Sequence, residues 1–124
     1  MSVFNYNSYH KIITALILVG WSIFHFSSKE EQQNYTNGQT KKSGRFVSGK
    51  SHGAWTWYYE NGQQKIKGYF DKGKRTGLWI TFAKNGDTLT QAQYSNDQLN
   101  GEFIRWEDQH IIERKSYKND VLVE

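Results

Sequence analysis

The 124-residue chain has room for one modest domain, carries a formal net charge of +4, and contains neither cysteine nor proline. The missing cysteines exclude a disulfide framework, a thiol nucleophile, an acylated cysteine anchor and any cysteine-ligated zinc. Aromatic residues make up 16% of a chain that is otherwise hydrophilic, so aromatic rings are its main core material.

Met1 to Lys11 is polar and aromatic with a single side-chain positive charge, Lys11. Ile12 to Phe26 then runs fifteen residues without a formally charged side chain when His25 is neutral. That is short for a transmembrane helix, which needs about 17 to 25 residues, and long enough for the core of a signal peptide. Trp21, Phe24 and Phe26 at its far end are candidate interfacial anchors. Residues 1–28 are therefore predicted to form an N-terminal membrane anchor or signal segment. Gly20-Trp21-Ser22 is a weak cleavage-site candidate, and a buried amphipathic helix is the third reading. For orientation, Lys29, Lys41 and Lys42 after the segment favour a cytoplasmic C-terminal part, whereas a short signal-like N-terminus favours export. The expectation adopted is a single-pass membrane protein with its C-terminal domain on the exported side. Residues 29–36 are polar, lack apolar periodicity and are predicted to be a tether.

From residue 37 onward the chain is periodic. Asn-Gly occurs at Asn37-Gly38, Asn61-Gly62 and Asn85-Gly86, each 24 residues after the last, and Gly53, Gly77 and Gly101 keep the same step. A fixed period of this size marks a repeat protein whose units stack on their neighbours. In register, Trp55, Trp79 and Phe103 form one column, Tyr58, Phe82 and Trp106 a second, and Phe46, Phe70 and Tyr94 a third. These rings are expected to stack into a continuous ladder. Gly44, Gly68 and Ala92 form a column of small residues, where a bulky side chain would hold neighbouring backbones apart.

Asn-Gly between segments of high β-propensity predicts a two-residue type I′ hairpin turn. Trp55–Glu60 and Gln63–Phe70 are then the arms of one hairpin, Trp79–Ala83 and Asp87–Tyr94 those of the next, with turn chemistry between them at Asp71–Lys74 and Ser95–Gln98. In the last unit Asp108-Gln109-His110 replaces Asn-Gly and Tyr117 arrives one residue early, so a residue has been lost near the turn. Val121–Val123 is predicted to be an end strand. The fold class is all-β, built from consecutive antiparallel hairpins of a 24-residue repeat over residues 37–124 and preceded by an N-terminal apolar helix.

Lys41 to Arg75 holds nine basic residues against Glu60 and Asp71, a net of +7, while Thr76 to Glu124 has a net of −3. The basic half suits phosphate, lipid head groups or an acidic protein surface, and equally a solvated face. His10, His25, His52 and His110 lack ligand-spaced partners, so no metal site is expected. Glu102 and Glu107 read as an ordinary charged sheet face, and the glycines of Gly68 to Lys74 are explained by the repeat rather than by a phosphate loop. Trp57 and Tyr59 have Thr81 and Ala83 as counterparts one unit later, so the ladder does not require them. With Lys50, Lys65 and Lys67 they are the candidate partner-binding patch. The bland alternative is that both rings pack on a neighbouring strand or on the tether.

Phe70 to Gly86 resembles a MORN-type repeat, in the variant found in bacterial YwqK-family antitoxin proteins. Phe46–Trp55 and Tyr94–Phe103 repeat the pattern, with Asp97 in place of a glycine. The resemblance covers roughly Asn34 to the C-terminus and implies a single-layer, twisted antiparallel sheet serving as an interaction scaffold; it brings no catalytic residue. The expected function is a non-enzymatic, membrane-anchored scaffold that binds a protein partner, without cofactor and without nucleic acid. The alternatives are an antitoxin-like inhibitor of a toxin and a glycan- or envelope-binding module.

Overall fold

The computed structural model describes residues 6–124. Residues 1–5 of the expected anchor, and the side chains of Tyr6, Asn7, Ser8, Phe24, His25 and Phe26, lie outside what the structure describes. One helix, α1 (Tyr6–Ser27), precedes nine strands: β1 (Ser28–Asn34), β2 (Thr40–Val47), β3 (Lys50–Tyr58), β4 (Gln64–Asp71), β5 (Lys74–Phe82), β6 (Thr88–Ser95), β7 (Gln98–Glu107), β8 (His110–Lys118) and β9 (Val121–Leu122). They form one antiparallel sheet in strict chain order, open at both edges. Consecutive hairpins follow from the alternation of short β-rich runs with turn residues.

Two of the predicted boundaries are corrected. Residues 29–36 are not a tether, because Ser28–Asn34 pairs along its length with β2, from Ser28 opposite Val47 to Asn34 opposite Thr40. Ser-Lys-Glu-Glu-Gln-Gln-Asn carries no alternating apolar signal, and what orders it is the free edge of β2, whose backbone groups need partners. The transmembrane helix expected over Ile12–Phe26 is not met either: among the described residues no helix is long and apolar enough to cross a membrane. An uncharged run of fifteen residues spans about 22 Å as a helix, against about 30 Å of hydrocarbon.

The turns exchange the types that their sequences suggest. The Asn-Gly connections are three-residue loops, closed in the first case by Tyr35 N–H donating to the Gln39 carbonyl at 2.8 Å and Gly38 N–H to the Tyr35 carbonyl at 3.0 Å. The same pair of bonds recurs at Tyr59 and Gln63 and at Ala83 and Asp87. Only the glycine of each takes positive φ, as in a type I turn followed by a left-handed residue. The asparagine is held in place by its side chain: Asn37 Oδ1 accepts from Gln39 N–H and Asn61 Oδ1 from Gln63 N–H, both at 3.0 Å. Two-residue turns with both residues at positive φ lie at the opposite side of the sheet, at Ser48-Gly49, Lys72-Gly73, Asn96-Asp97 and Asn119-Asp120. Asp108-Gln109 is a fifth such turn, on the loop side, where the lost residue shortens the Asn-Gly loop.

Both turn rows stitch the repeats together. On the loop side Tyr35 Oη donates to the Tyr58 carbonyl and Tyr59 Oη to the Phe82 carbonyl, each at 2.8 Å. Asn37 Nδ2 reaches the Glu60 carbonyl at 3.1 Å, and Asn61 Nδ2 the Lys84 carbonyl at 3.0 Å. On the other side Gly73 N–H donates to the Ser51 carbonyl at 2.8 Å, Asp97 N–H to Arg75 at 3.0 Å and Asp120 N–H to Leu99 at 2.9 Å.

A sheet one layer thick buries little. Among the described residues the buried hydrophobic side chains are Trp55, Ala92 and Ile104. Packing instead runs along one face as a ring ladder: Phe46 to Trp55 at 5.2 Å, Trp55 to Phe70 at 6.1 Å, Phe70 to Trp79 at 5.0 Å and Trp79 to Tyr94 at 6.1 Å. Edge-on contacts of this kind add about 0.5 to 1.5 kcal/mol each beyond area burial. Gly44 and Gly68 floor the ladder, since a Cβ there would stand 2.0 Å and 2.2 Å from the indoles of Trp55 and Trp79. In the third unit the pair changes together: Ala92 stands opposite the smaller ring of Phe103.

Candidate functional site

The five residues of the predicted patch do not converge on one surface. Trp57 belongs to the ladder, its ring 5.9 Å from Trp55 and 5.8 Å from Trp79, and is half-buried. The reading that the ladder does not require Trp57 is thereby corrected: two residues on from Trp55 and on the same face of β3, its indole fills the gap between Trp55 and Trp79, successive members of one column. Lys67 pairs with Thr56 rather than with Trp57, so alternation puts it on the other face. There its Nζ lies 5.6 Å from the ring of Phe82. Lys50 stands at the far end of β3, with its Cβ 3.7 Å from where a Gly73 Cβ would be.

Tyr59 and Lys65 do come together, and they bring a residue that the sequence reading missed. Lys65 Nζ is 5.5 Å and Lys84 Nζ 6.0 Å from the Tyr59 ring centroid. The Tyr59 hydroxyl is committed to the Phe82 carbonyl, so the phenol serves first as a staple between loops, with its ring face left to the two ammonium groups. Tyr35, Glu60 and Asn61 complete an open depression of about 460 Å³. Lys84 was legible in principle, because it falls 24 residues after Glu60, in the column next to Tyr59. What hid it was the bridge from Tyr59 to the following unit.

Elsewhere the electrostatics are local. Arg75 Nε donates to Asp97 Oδ1 at 2.6 Å, which holds the Asp97 carboxyl below the usual carboxylate range and raises the guanidinium. The hydrogen bond from Lys115 does the same for Glu113, with Arg105 3.1 Å away contributing less. His52 Nδ1 accepts from Lys72 N–H at 3.3 Å. No group of three or more His, Cys, Asp or Glu side chains able to hold a metal occurs among the described residues.

Chemically, the loop-edge cluster offers two cations on an aromatic face with backbone and amide groups beside them. That suits an acidic side chain or carboxylate-bearing segment of a partner. No protein-family model matches the chain, and no curated protein matches it in sequence.

Proposed function

We propose that this chain is a non-enzymatic repeat scaffold that binds an acidic segment of a protein partner at its loop edge and attaches to a membrane through α1. The observation that carries the binding half is the Tyr59, Lys65 and Lys84 cluster, where two lysines lie over one tyrosine ring. A one-layer sheet keeps such an edge open to solvent, and its stitched loops hold it without an enclosed core. The membrane half rests on the side chains of α1: Ile12, Ile13, Leu16, Ile17, Leu18, Val19, Trp21 and Ile23 are all more than half exposed. A helix that presents apolar side chains on every side needs an apolar surrounding. Its uncharged run of fifteen residues is short of the roughly 17 to 25 that a full span takes. The resemblance of the repeats to MORN-type scaffolds points the same way.

Photo-crosslinkers at positions 65 and 84 of the full-length protein in host cells test the binding half, with position 118 at the far end of β8 as reference. The expected result is one discrete crosslinked protein from 65 and 84 that disappears when Tyr59 and the second lysine are replaced. Equal crosslinking from all three positions would overturn it. Cell fractionation with protease protection tests attachment and decides whether the repeats lie on the exported side.

A further inference from the structure

Helix α1 enters the sheet at one particular edge. Ser27 ends the helix, Ser28 begins β1 opposite Val47, and Ser48 N–H donates to the Ser27 carbonyl at 2.9 Å. No linker intervenes, so the first two-residue turn, Ser48-Gly49, is fixed beside the last turn of the helix. The second, Lys72-Gly73, follows on the same side, about 10 Å further along at two strand spacings.

Lysine is concentrated at these two turns. Lys50, Lys72 and Lys74 are exposed, and none of them takes part in an ion pair within 4 Å among the described residues. Asp71, 3.7 Å from His52 Nδ1 and opposite Lys74 in register, is one acid beside them, and Asp97 of the next turn, near enough to Lys74 for the two charges to attract, is another. Further from the helix the sign changes: the third turn carries Asp97, which takes up the charge of Arg75, and the next carries Asp120. Positive charge is thus placed on the side where the helix joins the sheet, and it acts on a surface that lies within a Debye length of about 8 Å of that edge.

We infer that the Lys50, Lys72 and Lys74 turn edge binds anionic lipid head groups, and that α1 and this edge together make one membrane-docking surface. The inference rests on the proposed attachment through α1 and adds the lipid class and the residues that select it. The ammonium groups of this edge meet phosphate on the side where α1 joins the sheet, and the loop edge with Tyr59 is left pointing away on the opposite side of the sheet. Each lysine near an anionic surface contributes about a fivefold gain in partitioning, so the three together contribute about a hundredfold.

The test is co-sedimentation of the full-length protein with neutral phosphatidylcholine vesicles and with vesicles containing phosphatidylglycerol, at low and high salt. The variant replaces Lys50→Gln, Lys72→Asn and Lys74→Gln, with asparagine at 72 because that position has φ of 48°. A control variant, Lys65→Gln with Lys84→Gln, removes charge from the opposite edge. The expected result is binding to neutral vesicles, binding to anionic vesicles about a hundredfold tighter and salt-sensitive, and loss of that gain in the triple variant but not in the control. Equal binding to both vesicles, or a gain that survives the triple variant or falls equally in the control, overturns the inference and leaves the α1 attachment standing. No binding to either vesicle overturns both. Tryptophan fluorescence of the ring ladder verifies that each variant is folded.

Discussion

Arg75 and Asp97 lock two successive turns by reciprocal bonds: Asp97 N–H donates to the Arg75 carbonyl at 3.0 Å while Asp97 Oδ1 accepts from Arg75 Nε at 2.6 Å and from Arg75 N–H at 3.3 Å. The guanidinium also lies 4.1 Å from the centroid of Tyr94, which ties the turn row to the ring ladder. One repeat earlier the same position is Gly73, which keeps the amide bond and lacks the carboxylate.

The folded-state carboxyl of Asp97 is lowered chiefly by the hydrogen bond from Arg75. Its contribution to stability is therefore fully present above the ordinary carboxyl value of about 4 and drains away as pH falls through the lowered value. The two side chains are 36% and 52% exposed, so solvent screening holds the pair to about 1 kcal/mol or less. Urea unfolding of Asp97→Asn should show that loss at pH 7, a smaller one at pH 3, and a smaller one in high salt. A loss that stays constant across pH would exclude the ion pair as its source.

Gly68→Ala should destabilise by about 1 to 3 kcal/mol, because its Cβ would stand 2.2 Å from Trp79 Cδ2 and the indole is held by Phe70 on one side and Tyr94 on the other. The Ala92 and Phe103 pair predicts the remedy. Combining Gly68→Ala with Trp79→Phe should recover part of the loss, and the coupling is read from a double-mutant cycle of chemical denaturation.

Tyr59→Phe deletes the hydroxyl bond to the Phe82 carbonyl and should cost about 0.5 to 1.5 kcal/mol while retaining the ring. Tyr35→Phe, which removes the equivalent bond to the Tyr58 carbonyl, should cost a similar amount in the same thermal melt.

Turn type is tested by two substitutions of opposite sign. Lys72→Asn places Asn-Gly in a turn with both residues at positive φ and should raise stability by a few tenths of a kcal/mol. Gly62→Ala forces a Cβ into φ of 85° and should lower it by about 1 to 2 kcal/mol. A destabilising Lys72→Asn would show that the lysine stem makes contacts of its own along the edge.

Much of the fold was legible because the period is carried by residues with few substitutes. Glycine beneath an indole, aromatic rings one unit apart and asparagine before glycine each answer a steric or hydrogen-bonding demand that recurs with every hairpin. The lost residue of the last unit was also visible, and it emerges as the shortened Asp108-Gln109 turn. Val121–Leu122 forms the expected end strand.

The binding patch was less legible, since neighbours along the chain do not share a face. Lys67 lies one residue from Ile66, the partner of Trp57, and that single step sends it through the sheet. Lys84, in the next repeat, meets Tyr59 because hairpin stacking brings consecutive loops side by side.

By itself the sequence determined the 24-residue unit, the all-β class and the stacking order, because these follow from local turn chemistry repeated at a constant interval. Only the tertiary structure decided which turns are left-handed, that Ser28–Asn34 is a strand, and which cations share an edge. Those depend on register and on strand edges seeking partners, and both are properties of the assembled sheet rather than of any segment within it.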